Sequence, residues 1–253
     1  MFGLIKPKKS FKWAFFGKIP IAGDYLTFGR PTPLLVSFAK WIEKGYFEFS
    51  SDKKNNLYFS WRFWAKGPNK ELVCGIIQSS ADKYNRQYPL LIIGSGKILL
   101  LNKNWAITPY ACNGTWEQLE LIAKNHICSI RAVKRSLKTI KPPVSDVSDL
   151  SLASENFQSI KIKPGNTMKQ SDLLNKMNNI EGVSRLKDFT VQLDDNNMKS
   201  SLVAIVKLLL LLKSKSPVSP DVVFWGGNKE SEKLYCLKRA LNISDFQKIC
   251  GEV

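Results

Sequence analysis

The apolar positions of this chain change period several times, and each change marks an element. An aromatic-rich run from Phe11 to Phe16 stops at Gly17, after which Pro20, Gly23, Gly29, Pro31 and Pro33 punctuate the sequence. This predicts a strand followed by a fixed, non-helical loop. From Leu34 to Phe47 the residues Leu34, Leu35, Phe38, Trp41 and Ile42 recur at helical spacing with Lys40, Glu43 and Lys44 between them, as in an amphipathic helix. Three strand-like segments follow, Leu57 to Ala65, Leu72 to Ile77 and Tyr88 to Ile93. Their close succession favours antiparallel pairing. In the first of them Tyr58, Ser60, Arg62 and Trp64 alternate with Leu57, Phe59, Trp61 and Phe63, so both faces carry aromatics and the strand is expected to be covered on both sides. Gly94, Ser95 and Gly96 read as a tight turn leading to a further strand near Lys97 to Leu101.

A helix is predicted from Trp116 to about Ile140, capped by Asn113 or Thr115, with Leu119, Ile122, Ala123, His126, Ile130, Val133 and Leu137 on its inward stripe. The tract from Lys141 to Gly165 opens with Pro142 and Pro143, lacks aromatic density and is rich in Ser and Asp, as a surface linker should be. Beyond it the pattern predicts a short helix (Ser171 to Ile180), a strand (Phe189 to Leu193), a very apolar helix (Met198 to Leu212), a hairpin (Val222 to Trp225 with Lys233 to Leu237) and a last helix (Ser244 to Ile249). The fold class is α/β of the α+β type, a mixed and largely antiparallel sheet flanked by helices in layers. The expected organisation is an N-terminal α/β region over 1–145, a linker over 146–165 and a C-terminal α/β region over 166–253 packed on the first.

Composition narrows the class. With 44% hydrophobic residues over 253 positions the chain supports a real core. Met1 to Ser10 reaches Lys and Pro at once, unlike a cleaved secretion signal, and the run Leu202 to Leu212 contains Lys207 and falls short of the roughly 20 residues of a membrane span. A cytoplasmic protein is expected. Five cysteines without a CxxC pair indicate neither a disulfide framework nor a zinc site. The net charge of +17 allows an acidic partner, yet Lys outweighs Arg and the cations are spread out, which argues against nucleic acid. Arg131, Lys134, Arg135 and Lys138 fall at i, i+3, i+4 and i+7, four cations on one helical face. Either an acidic or phosphorylated partner docks there, or the macrodipole favours cations near a helix C-terminus.

Catalytic chemistry has little to work with. The single histidine, His126, lies on an apolar stripe, and Cys128, two residues on, would point elsewhere on a helix. The GSGK stretch at Gly94 lacks the remaining phosphate-loop positions, since Leu91 and Ile98 stand where Gly and Ser or Thr belong. No metal site and no cofactor are indicated. Two tracts nevertheless look specified. In FGKIPIAGDYLTF, Phe16 to Phe28, Gly17 and Gly23 bracket Pro20 and a lone carboxylate, Asp24, suited to capping backbone amides. In QSSADKYNRQYPL, Gln78 to Leu90, Asp82 and Arg86 stand four apart beside Tyr88 and Pro89 and would form an ion pair if the loop were helical.

These tracts carry a family resemblance. Gly17, Lys18, Pro20, Gly23, Asp24 and Tyr25 fit the opening pattern of the TagF/ImpM family, an aromatic followed by GK, an apolar residue, P, two variable residues, GD and an aromatic. Ser80, Asp82, Arg86, Pro89 and Leu90, preceded by Gly75, resemble its PS-x-D-x-x-GR-x-FPL segment, with Ser79 in place of the proline, Asn85 of the glycine and Tyr88 of the phenylalanine. VFWG, from Val223 through Trp225 to Gly226, is similar to the family's late aromatic strand, and Leu241 to Phe246 to its closing GLP-x-x-x-F segment without the Gly and Pro. The resemblance implies a non-catalytic accessory protein of a bacterial type VI secretion system, a post-translational repressor that binds other components, among them a forkhead-associated scaffold protein. The matched Asp, Arg and Lys would then shape a contact surface, with Phe15, Phe16, Tyr25, Phe28 and Tyr88 as aromatic anchors. The rival reading is a small hydrolase or nucleotide-binding enzyme that uses Lys18, Asp24, Asp82 and Arg86 as a polar cluster. A second rival, binding to anionic membrane surfaces, rests on charge alone.

Overall fold

The computed structural model describes residues 11–49, 54, 57–98, 104–124, 129–146, 188–193, 198–215, 218–228 and 231–251. Its centre is an eight-stranded sheet of β1 (Lys12–Gly17), β2 (Leu26–Gly29), β3 (Ser60–Lys66), β4 (Glu71–Gln78), β5 (Leu90–Lys97), β6 (Asp188–Leu193), β7 (Val222–Gly227) and β8 (Glu232–Leu237). The spatial order is β2-β1-β5-β4-β3-β7-β8-β6, and every pairing is antiparallel. The α+β fold expected from the pattern is therefore the observed one. The late strands join the early ones through the β3–β7 ladder, from Ser60 opposite Gly227 to Ala65 opposite Val222.

The helices are α1 (Pro33–Phe47), α2 (Thr108–Lys124), α3 (Ile130–Thr139), α4 (Met198–Lys215) and α5 (Ile243–Gly251). Strand alternation sends Trp13, Phe15, Cys74, Ile76, Ile92, Val223 and Trp225 to one face, under α2, α3 and α4. Ala14, Phe16, Phe63, Val73, Ile77, Leu91, Ile93 and Phe224 go to the other, under α1 and α5. The central strands are thus buried on both faces, which is why β3 carries aromatics on both, Trp61 and Phe63 on one and Trp64 on the other. On α1, the Thr32 hydroxyl accepts from the Leu35 N–H and Pro33 supplies the first turn. The two helices of that face meet where Phe246 lies on Gly45, so close that a Cβ at Gly45 would stand 2.4 Å from the phenylalanine's own Cβ.

Several expectations need correction. The helix predicted over 116–140 is two helices. The first begins earlier, at Thr108, where Pro109 fits the first turn. The second starts after Ser129, whose backbone is extended and whose hydroxyl accepts from the Ala132 N–H at 3.0 Å. Gly94 and Gly96 do not form a turn. They lie inside β5, where the rings of Trp13 and Phe11 occupy the space that a Cβ at either position would fill. Strand β2 lies within the stretch expected to be a non-helical loop, and is only four residues long and half exposed. His126, Cys128, the helix expected over 171–180, most of the linker over 146–165 and most of the strand near Lys97 to Leu101 fall outside the described residues. Among the described residues no helix is long and apolar enough to cross a membrane.

Candidate functional site

The two specified tracts meet at one side of the sheet. β1 runs antiparallel to β5, so the turn that leaves β1 at Gly17 faces the turn that enters β5 at Pro89. The approach is close enough to require glycine. Gly17 has φ +123°, and a Cβ there would lie 2.2 Å from the Pro89 carbonyl oxygen. From this crossing the first tract wraps over the second. The Ser80 hydroxyl donates to Lys18 O at 2.8 Å, the Lys83 N–H donates to Ala22 O at 2.9 Å, and Arg86 Nη2 donates to Gly23 O at 2.6 Å.

Asp82 is the hub of this arrangement. Its side chain has no exposed surface, and it receives Lys18 Nζ at 3.1 Å, Arg86 Nε at 2.7 Å and the N–H groups of Tyr84 and Arg86 at 3.0 Å each. Burial by itself would raise this carboxyl. The hydrogen bonds from the Arg86 and Tyr84 backbone and from the Lys18 and Arg86 side chains outweigh it and hold the group well below the usual carboxylate range. The Asp82–Arg86 pair therefore forms, but without the helix assumed for it. The segment is a tight turn closed by an Ala81–Gln87 bridge, with Asn85 at φ +60°. Asn, like the glycine it replaces in the family pattern, tolerates that left-handed conformation. Ser79 uses the N–H that a proline would lack, donating to Phe59 O at 2.9 Å.

Beside this knot lies a groove of about 950 Å³ between α1, β2 and the 82–88 turn. Tyr88 forms its aromatic wall, edge-on to Tyr25 at 5.3 Å and to Tyr46 at 5.1 Å, and the Tyr46 hydroxyl donates to Gln87 O at 2.8 Å. Burial pushes the Tyr88 phenol well above its ordinary value, with the neighbouring Tyr25, Glu43 and Tyr46 adding to the shift. Tyr25 and Tyr46 are raised for the same first reason.

The structure thus gathers Gly17, Lys18, Gly23, Asp24, Tyr25, Asp82, Arg86, Tyr88 and Pro89, with Pro20 on an exposed turn beside them. Asp24 itself is 83% exposed, caps only the Tyr25 N–H at 2.7 Å and stands 4.0 Å from Arg86. Other expected members are elsewhere. Phe15 and Phe16 are buried in the sheet core, because strand alternation places them against the two helical layers, and of the two only Phe16 reaches the groove lining. Phe28 is half-buried, stacked on Phe15 at 4.3 Å. Trp225 is 1% exposed and sits on β7, four strands from β1. Arg131, Lys134, Arg135 and Lys138 are exposed on α3, over the opposite face of the sheet from the groove. Arg131 occupies the first turn of α3, so the macrodipole does not explain it.

Two features were not legible. Tyr84 (64% exposed), on the turn beside Arg86, and Phe47 (64%), in the groove lining, are large side chains displayed at this side of the molecule. Tyr84 is held there by Arg86 and Lys83 over its ring. The other feature is Arg62, buried in β3 and paired bidentately with Glu120 of α2 at 2.6 and 3.0 Å. It also donates to Asn113 Oδ1 at 3.0 Å and lies between the rings of Trp116 and Trp225. Within α2 the Asn113-to-Glu120 spacing was a usable signal, since positions seven apart share a helix face. Arg62 gave no hint of its partner. Among the described residues no group of three or more His, Cys, Asp and Glu could hold a metal ion.

Comparison with known proteins places this geometry. No curated protein matches the chain. A protein of Pseudomonas aeruginosa PAO1, PA0076, shares the fold in its crystal structure, with 15% identity, 95% of each chain covered and a TM-score of 0.54. The family profile described as the TagF N-terminal domain, type VI secretion system-associated, matches residues 14–141, from inside β1 to just past α3 and across both turns of the knot. This chain belongs to the TagF N-terminal domain family of type VI secretion system-associated proteins.

Proposed function

We propose that the chain is a non-catalytic cytoplasmic regulator of its type VI secretion system, a repressor that acts after translation by binding other components of the machine. The observation that carries this reading is the state of the polar cluster. Asp82 is buried and its oxygens already accept from four donors on the two turns, so its charge serves to lock one turn against the other. An acid, base or nucleophile needs an approachable atom beside a substrate pocket, and this carboxylate has none to offer. What the locked turns display outward is Tyr25 and Arg86 on the wall of an aromatic groove, with Asp24 and Tyr84 exposed beside Arg86. Aromatic and arginine side chains on a preorganised backbone are the usual anchors of protein contacts. A scaffold component with a forkhead-associated domain is the partner that the family resemblance suggests.

The test separates binding from folding. Arg86 and Tyr88 hold the turns together, so alanine there would disturb both properties. Alanine at Asp24, Tyr25 and Tyr84 removes groups that reach the surface, of which Tyr25 also packs edge-on to Tyr88. A triple variant with an unchanged circular dichroism spectrum is expected to lose co-purification of secretion components and to release secretion of the tube protein in cells. A folded triple variant that retains the partner and still represses secretion refutes the proposal. A thermal-shift screen with nucleotides and divalent metals addresses the enzymatic alternative, which would require a strong specific stabilisation.

A further inference from the structure

Strand β2 ends the sheet, and its geometry leaves a usable edge. The Arg30 N–H donates to Trp13 O at 2.7 Å, and the register sets Phe28 against Phe15 and Thr27 against Phe16. Bonded and non-bonded pairs alternate in an antiparallel ladder. Arg30, Phe28 and Leu26 therefore turn their backbone groups toward β1, while Thr27 and Gly29 aim N–H and C=O away from the sheet. Among the described residues no strand pairs with that side of β2. Sheet edges are commonly blunted by a proline, a bulge or a covering element; the Leu-Thr-Phe-Gly of β2 carries neither of the first two.

Both flanks of the edge are cationic. Thr27 lines the groove, where Lys40 and Lys54 face the one lining acid Glu43, Lys18 and Arg86 being already paired with Asp82. Phe28 faces the other way, toward α3, with Lys134 Nζ 5.5 Å from its ring centre. Arg131, Arg135 and Lys138 continue that side, and α3 contains no acidic residue. A cation at Arg131, in the first turn of the helix, opposes the macrodipole, so helix stability gives no reason for it.

We infer that the outer edge of β2 is a docking site for an extended, acidic segment of a partner protein, which adds to the sheet as a further strand. Main-chain bonds to Thr27 and Gly29 hold the segment, and its successive carboxylates, which point to opposite faces of a strand, reach the groove lysines on one side and the α3 cations on the other. The inference rests on reading the chain as a protein-binding one, though not on which partner it binds.

The probe is a labelled, end-blocked peptide of about ten residues in Glu-Glu-Val-Val repeats, which places Glu on both faces of a strand, with a Lys-Lys-Val-Val counterpart as control, both extended enough to span the edge. Fluorescence anisotropy with the full chain should show binding of the glutamate peptide only, weakened about tenfold or more by raising salt to about 0.5 M. Amide exchange at Thr27 and Gly29 should slow about tenfold on binding. Thr27→Pro removes an outward N–H at no cost to the β1 ladder and should abolish binding, while Lys134→Glu, a surface change that does not threaten the fold, should weaken it. Failure of the glutamate peptide to bind overturns the inference, and so does binding that leaves those two amides unprotected or survives both substitutions. Secretion components that co-purify equally with wild type and Thr27→Pro would likewise remove the edge as the docking site while sparing the regulatory proposal. The regulatory proposal alone falls if the peptide binds and protects as expected but loss of the gene leaves secretion unchanged.

Discussion

Two buried charges hold this molecule together in opposite ways. Asp82 is an anion in a turn, surrounded by backbone N–H groups and two cations contributed by neighbouring loop residues. Arg62 is a cation in a central strand, met by a carboxylate and an amide from a helix and sandwiched by two indoles. Every partner of Asp82 lies within four residues of it or in the adjacent specified tract, whereas Glu120 is 58 residues from Arg62. The first arrangement shapes a surface; the second fastens α2 to the sheet. Burial of a charge therefore does not mark function by itself. What distinguishes the two is whether the atoms around the charge end at solvent.

That contrast predicts a ranking. Arg62→Ala leaves Glu120 without its partner under the helix and should cost about 3 kcal/mol in urea denaturation, the largest loss among these changes. Restoring about a third of it with Glu120→Gln in the same chain would confirm that the stranded carboxylate is the cause. Gly17→Ala forces a Cβ against the Pro89 carbonyl in a left-handed conformation and should cost about 2 kcal/mol. Its damage should be concentrated in the two turns, visible as faster amide exchange at Tyr84 and Arg86 with α2 unaffected.

Asp82→Asn should destabilise less than Arg62→Ala and with a distinctive dependence on pH. The folded carboxyl lies below the ordinary value of about 3.9, so its contribution is complete above that value and is lost as pH falls through the depressed one. The gap in stability between wild type and Asp82→Asn should be widest above about pH 5 and narrow steadily as pH falls below about 4. A constant gap would mean that the carboxyl titrates normally and that the knot is weaker than its geometry implies. Tyr84→Ala, at the surface, should change stability by no more than about 0.5 kcal/mol.

The same contrast explains what the sequence made legible. The Asp82 knot is built from short-range neighbours in two glycine- and proline-rich tracts, and its members could be named residue by residue because local turn chemistry ties them together. Even there the helical assumption for Asp82 and Arg86 was unnecessary, since the left-handed Asn85 brings the chain round in a turn instead. The Arg62 clamp depends on which helix lies over β3, a matter of topology that no local pattern encodes. Period-two alternation found the central strands but not β2, whose four half-exposed residues carry too little periodic signal. The glycines of β5 looked like a turn because their reason for being there, the rings of Trp13 and Phe11, sits on another strand.

The proposed function rests on the outward face of the interlocked turns acting as the contact surface toward the secretion system. The most direct measurement is quantitative co-purification of secretion components from cells with the wild-type chain and with the Asp24→Ala, Tyr25→Ala, Tyr84→Ala triple variant, at matched expression and melting temperature. A loss of about tenfold or more in the recovered component is predicted, a difference of about 1.4 kcal/mol in binding. Equal recovery with a fully folded variant would contradict the account.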